Sequence, residues 1–441
     1  MPMSLTRIAY NALFPIVFAA VAPHYGYKML RRSRSGRGFG QRFGIFGART
    51  RAAIEPQRGG IWIHAVSVGE VRLAALLIRE WRRRDSGAKI VLSTTTPTGQ
   101  SVAQAEVGSL VPIVFNPIDF LPCVRSAFEL IRPRVLVLVE AEVWPNYFWE
   151  AQARGVPVLM ANARLSRRTE ARYHQLAWFA RPLLRQMARV CVQNGRDADR
   201  FARLGVDRER LVDTGSMKFD VSRVSWNGTL DPREILAGAG WTTGRPIFLA
   251  ASTHRGEETL VGRVLMRLRA EFPNLFLIVA PRHMERGGEV QRALRELGLE
   301  SVRRSQARAS AAANLNNDVM ILDTTGELKD FYPLATVTFV GKSLLGRGGQ
   351  NFLEPVQGGT PVVLGPHMEN FDAIAAEFTD ADAVVRITSE DGLADAVGKL
   401  LRDGALAAGL VARARALFER RVGAATRTVD ALEGWTKNSV E

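Results

Sequence analysis

Short Val/Ile/Leu runs that break off in turn residues, each followed by a stretch of helical period, constrain this chain more than any other feature. IWIHAV (61–66), KIVLSTT (89–95), VPIVF (111–115), RVLVLVE (134–140), VPVLMAN (156–162) and VCVQ (190–193) form one series. PIFLAAS (246–252), LFLIVAP (275–281), VMILD (319–323), TVTFVG (336–341) and PVVLG (361–365) form a second. Strands apolar on both faces, alternating with amphipathic helices such as VRLAALLIREWRRR (71–84), imply parallel sheets covered on both sides. Between the series, 220–245 is rich in Gly, Pro and Asp without apolar period and reads as a domain boundary. The expected class is therefore α/β, two doubly wound Rossmann-like domains facing a central cleft. The N-terminal domain is expected over 37–220 and the C-terminal one over 221–441, with the last helix packing back on the first domain. The segment 303–317, poor in large apolar residues, reads as a mobile surface loop.

The 441 residues suit two or three domains, and the net charge of +15 calls for an acidic partner. No zinc-finger, RNA-binding or helix-turn-helix signature is present, so that partner is not read as nucleic acid. Cys123 and Cys191 lie far apart inside apolar runs and read as buried free thiols of a reducing compartment. The charge is uneven. No Asp or Glu precedes Glu55, and Ile8–Tyr27 carries no charged residue, while Lys28, Arg31, Arg32, Arg34, Arg37 and Arg42 crowd just after it. Residues 1–36 are thus read as a membrane anchor with a basic collar, either spanning the bilayer or lying in its interface on anionic lipid. Both forms put the body of the protein on the cytoplasmic side. An ordinary buried helix is the plain alternative.

Doubly wound domains place their chemistry at the C-terminal ends of the strands. There, HAVSVGEV (64–71) puts Glu70 in the first turn of a helix, where it is either a dipole partner or a rigidly held base. Glu140 and Glu142 follow the fourth strand; a strand-end Glu paired with a neighbouring Arg is the plain reading of Glu140. Lys218 in TGSMKFD is a surface lysine or a cation for a phosphate or sugar carboxylate. In the second series, Arg282 in PRHMER, the amides of Thr325, Gly326 and Glu327 in TTGEL, and a Gly-rich turn running into Asn351 and Glu354 suit an anion. The absence of GxGxxG after the first strands argues against a nicotinamide cofactor, and the absence of GxxxxGK[ST] against a triphosphatase. His254 and His283 lack a third ligand for a metal.

The motifs HAVSVGE, EAEVWPN, NARLS, GSMKFD, STHRGEE, PRHMER, TTGEL and GGQNFLEP resemble, in order and spacing, those of the bacterial 3-deoxy-D-manno-octulosonic acid (Kdo) transferases, membrane-associated glycosyltransferases of the GT-B fold. The resemblance covers nearly the whole chain. It implies transfer of Kdo from CMP-Kdo to the lipid A precursor (lipid IVA), with inversion, without metal or other cofactor, at the cytoplasmic face of the inner membrane. It implies Glu70 as general base and Glu140 and Lys218 as transition-state stabilisers. It implies that CMP is held by Pro281 and Arg282, by Thr325, Gly326 and Glu327, and by Asn351, Phe352, Leu353 and Glu354. Lys342 and Thr325 depart from the family's usual residues. Competing readings are a GT-B glycosyltransferase or epimerase that uses a UDP-sugar, and a non-catalytic membrane-anchored binding protein.

Overall fold

Each apolar run of the first series becomes a strand of one parallel sheet. The computed structural model describes residues 5–32, 38–141, 143–223, 230–306 and 317–436, the side chains of 20–32 excepted. Glu142, the basic collar beyond Arg32 and most of the expected loop (307–316) lie outside the described residues. The first sheet holds β1 (Ile61–Ala65), β2 (Ile90–Thr94), β3 (Ile113–Phe115), β4 (Val135–Val139), β5 (Val158–Ala163), β6 (Met187–Val192) and β7 (Leu211–Asp213) in the order β3-β2-β1-β4-β5-β6-β7. The second holds β8 (Ile247–Thr253), β9 (Phe276–Pro281), β10 (Ser301–Arg303), β11 (Val319–Ile321), β12 (Val337–Val340), β13 (Val362–Leu364) and β14 (Val385–Arg386) in the order β10-β11-β9-β8-β12-β13-β14. Both orders reverse beside the first strand of their series, which is where doubly wound sheets open a crevice at their C-terminal ends. β7, β10 and β14 were not among the expected strands. All three are short edge strands with half-exposed residues, so they lack the continuous apolar run that a doubly covered strand requires.

The chain divides into two compact units, Met1–Val221 with Gly423–Glu441, and Ser222–Val422. In the first unit, alternate strand residues feed two cores. Trp62, Leu136 and Leu138 face one side, where Phe128 and Tyr147 pack, and Ile61, Ile63, Val135 and Val137 face the other. On that other side lies the helix Val68–Arg84, joined by Val429 and Leu432 of the C-terminal helix Ala424–Thr436. Asp220 accepts hydrogen bonds from the amides of Gly423 (2.6 Å) and Ala425 (2.7 Å), satisfying donors at the start of that helix.

The N-terminal helix Leu5–Arg32 is also seated on the first unit, and by its polar residues. Tyr10 donates to Asp119 (2.7 Å), Asn11 and Asn146 exchange two amide hydrogen bonds of 3.0 Å, and Arg7 forms an ion pair with Glu150. The Tyr10 ring meets Trp149 edge-on, with centroids 5.5 Å apart. Burial pushes the Asp119 carboxyl up to about 7. The residues facing away, Leu5, Ile8, Ala9, Ala12, Leu13, Ile16 and Val17, are all apolar and all exposed, Leu5 at 86% and Ile16 at 67%. Described residues only considered, no helix is long and apolar enough to cross a membrane. Cys123 and Cys191 are buried and free.

Candidate active site

In the first unit, the strand β1 delivers the chain to the helix that carries Glu70. Ser67 is the N-cap of that helix; its hydroxyl oxygen accepts from the Glu70 amide (3.3 Å). The Glu70 carboxylate folds back, one oxygen accepting from the Ser67 hydroxyl (2.8 Å) and the other from the Val66 amide (2.8 Å). This is a variant of the capping box in which the carboxylate reaches the amide before the N-cap, and the S-x-x-E signature of the box is present in SVGE. The box holds the carboxylate in one rotamer at the C-terminal end of β1, buried but for 8% of the residue's surface. His64, first residue of the same motif, is a core residue: its Nδ1 lies 3.0 Å from the Ser93 hydroxyl, and burial pulls it down to about 4, leaving it neutral.

Glu140 follows β4 with φ of +64°, a left-handed conformation that costs a non-glycine residue about 1 kcal/mol or more. The strained backbone turns its side chain into a polar cluster. One carboxylate oxygen lies 3.7 Å from Lys218 Nζ and the other 3.6 Å from Arg164 Nε. Lys218 is lowered to about 8; burial is the main cause, and Arg164 adds to it while Glu140 opposes it. An ammonium held in so little water is stabilised further by an approaching anion, which is what a leaving phosphate or a sugar carboxylate supplies. Arg164 and Asn162, both in NARLS, belong to this cluster and were not singled out in the sequence. Their signal was their position, polar residues directly at the end of β5.

The second unit gathers positive charge at the C-terminal end of its sheet. β8 runs into His254, β9 into Arg282 and His283, and β12 into Gly341 and Lys342. Burial, then Lys342, His283 and Arg282, hold His254 below its ordinary value. The buried Glu257 carboxylate ties two of these loops together, accepting from the amides of His254 (2.9 Å) and Lys342 (2.7 Å). Glu258 does the same for a third, through Arg286 (2.7 Å) and Thr253 (3.1 Å). Gly341 permits the close approach: a Cβ there would lie 2.4 Å from the Ser252 carbonyl oxygen. Lys342, with φ of +57°, is thus a member of the basic edge.

The expected nucleotide residues fall into two kinds. Arg282, Thr325 and Gly326 are exposed and open to a ligand, whereas the side chains of Pro281, Phe352 and Leu353 are buried. Phe352 packs edge-on against Phe378 at 5.2 Å, so it and Leu353 can offer a ligand only backbone. The helix that begins in TTGEL spans only Leu328–Phe331 before it tightens into a 3-10 turn over Tyr332–Leu334, and its dipole is correspondingly small. Glu327 accepts from Thr324 (2.7 Å) and Arg304 (3.0 Å). Asn351 bonds the Leu353 amide (3.1 Å) and orients Glu354 (2.9 Å). Among the described residues no three His, Cys, Asp or Glu side chains gather as a metal site.

Residues 37–221 match the family model of the 3-deoxy-D-manno-octulosonic-acid transferases (kdotransferases). A 3-deoxy-D-manno-octulosonic acid transferase of Haemophilus influenzae is 32% identical over 98% of this chain and 100% of its own. One of Bordetella pertussis is 33% identical over 96% and 99%. The chain belongs to the Kdo transferase family. It is a glycosyltransferase, which removes the non-catalytic binding protein from the competing readings. Among solved structures, the UDP-GlcNAc 2-epimerase of Neisseria meningitidis bound to UDP-GlcNAc matches with a TM-score of 0.60 over 85% of this chain and 100% of that one, at 12% identity. The glycotransferase of kitacinnamycin matches with a TM-score of 0.54 over 86% and 100%, at 17% identity. These likenesses are of the GT-B fold alone, so the epimerase match does not make this Kdo transferase an epimerase.

Proposed function

We propose that the chain transfers Kdo from CMP-Kdo to the lipid A precursor, lipid IVA, with inversion and without a metal ion. The observation that carries this is the Glu140–Lys218–Arg164 cluster at the C-terminal edge of the first sheet, in a chain that matches Kdo transferases end to end. Glu70 takes the proton of the acceptor hydroxyl as its oxygen bonds to the anomeric carbon. The bond from that carbon to the phosphate breaks, and CMP leaves with the electron pair. Glu140 stabilises the positive charge that builds at the sugar, and Lys218 the negative charge on the sugar carboxylate or leaving phosphate. In the second unit Arg282 and its neighbours meet the nucleotide's charge. CMP-Kdo with a bisphosphorylated lipid acceptor should yield CMP and a product heavier by Kdo; no CMP release would sink the proposal. Cytidine but not uridine nucleotides should protect the fold from heat, which separates it from a UDP-sugar enzyme.

Arg282→Ala should weaken CMP binding by about 1.5–3 kcal/mol, the worth of a charge-assisted hydrogen bond to phosphate. Calorimetric titration checks this, and an unchanged affinity would place Arg282 elsewhere. CMP binding should also survive EDTA, since cations of the chain take the place of a metal.

The same proposal places the enzyme on the cytoplasmic face of the inner membrane, its N-terminal helix lying in the interface on anionic lipid rather than spanning. Support comes from the described side chains of the helix: Arg7, Tyr10 and Asn11 face the protein, and an apolar face from Leu5 to Val17 is exposed. Replacing Ile8, Leu13, Ile16 and Val17 by Ser leaves Arg7, Tyr10 and Asn11 in place. Each replacement should cost on the order of 1 kcal/mol of membrane binding. The protein should then fail to co-sediment with anionic liposomes while still binding CMP, and undiminished co-sedimentation would refute the membrane reading.

A further inference from the structure

We infer that Asn162 is the positioning residue of the transferase, setting Glu140 and Lys218 against each other through one side chain. This rests on the reading of those two groups as the transition-state stabilisers. Asn162 is fully buried near the end of β5, where the register with β6 shifts between Met160 and Ala163. Its φ is +54°, so the strand end is kinked at this residue as it is at Glu140. Its Oδ1 accepts from the amide of Met217 (2.9 Å), the residue before Lys218. Its Nδ2 donates to Glu140 Oε1 at 3.4 Å, the oxygen that also faces Lys218 Nζ. Its carbonyl oxygen accepts from Gln193 Nε2 (2.9 Å), which holds its backbone to the loop after β6. One amide therefore spans two chain segments that are 78 residues apart, Glu140 and Lys218, and it does so with both of its polar ends.

The amide suits this place better than its alternatives. Met217 offers a donor and Glu140 an acceptor, and the carbonyl and amino ends of one short, rigid amide answer both at once. Asn also tolerates the left-handed conformation better than other non-glycine residues. No contact of Asn162 calls for a ligand of its own, so its effect on the reaction runs through the pair it holds.

Two substitutions separate positioning from plain structure. Asn162→Gly keeps the left-handed backbone and deletes the amide. Asn162→Asp keeps the shape and sets a negative charge beside Glu140. The charged groups that act on Lys218 are Glu140, Arg164 and Asp197, and the wild-type rate should fall as pH rises through about 8, where Lys218 loses its proton. In the Gly variant kcat should fall on the order of 10–100-fold, as misplacement of a catalytic pair does, with the KM for CMP-Kdo nearly unchanged. In the Asp variant the added charge favours the ammonium, so the alkaline limb should move up by about one pH unit. A Gly variant with wild-type kcat, or an Asp variant with an unmoved limb, overturns the inference. So does loss of the folded state in both, read by thermal unfolding, because the residue would then be structural. Lys218→Met and Glu140→Gln, run alongside, keep the two readings apart. If those variants stay active, the reading of the cluster fails. If they are inactive and Asn162→Gly is not, the positioning role fails alone.

Discussion

Glu70→Gln should lower the turnover of CMP-Kdo and acceptor by about 10²–10⁴-fold, the usual worth of a positioned general base. The geometry makes this substitution an unusually clean one. Glu70 closes a capping box with Ser67, and Gln closes the same box, because its carbonyl oxygen can still accept from the Val66 amide or the Ser67 hydroxyl. The helix Val68–Arg84 should keep its start, and the thermal midpoint should move by no more than a surface substitution would move it. CMP affinity should stay at the wild-type value, since the residues proposed to hold the nucleotide belong to the second unit. Steady-state kinetics with thermal unfolding and CMP titration checks all three. Turnover within a few-fold of wild type would leave Glu70 as a cap and nothing more.

Lys218→Met should cost on the order of 10²–10³-fold in kcat, the range found when one preorganised stabiliser of transition-state charge is removed. The sign for stability runs the other way. Lys218 is held below its ordinary value mainly by burial, so in the folded state its charge is carried at a desolvation cost. Met fills the same space without that cost, and Glu140 keeps Arg164 at 3.6 Å as a counter-charge. The variant should therefore unfold at the wild-type temperature or above it while being nearly inactive, a trade of stability for function. The alkaline fall of the wild-type rate near pH 8 should be missing from its residual activity. A variant that loses several degrees of thermal stability along with its activity would show Lys218 to be a structural cation.

The alternation of apolar runs with helical stretches was enough to read two parallel α/β sheets and their central strands, because a strand covered on both faces must be apolar at every position. The edge strands Leu211–Asp213, Ser301–Arg303 and Val385–Arg386 escaped that reading because a half-exposed strand has no such requirement. Polar residues after apolar runs marked Glu70, Glu140 and Arg282, since a buried strand that stops in a charge does so at a sheet edge, whereas Lys218 was marked by its GSMKFD motif and its place before the domain boundary. Local sequence could not say which of these charges meet. Asn162 reaches Met217 across 55 residues, and Tyr10, Asn11 and Arg7 reach Asp119, Asn146 and Glu150 across 109, 135 and 143. Such pairs carry no periodic signal, because hydrogen bonds depend on where the fold brings two groups and not on their spacing in the chain. The composition of the first thirty residues determined that an apolar helix would form there. Tertiary contact alone decided that Arg7, Tyr10 and Asn11 face the protein, and that Leu5, Ile8, Leu13 and Ile16 are the side left open. A buried ion pair and buried amides must satisfy one another, and for these residues the partners lay on the first unit.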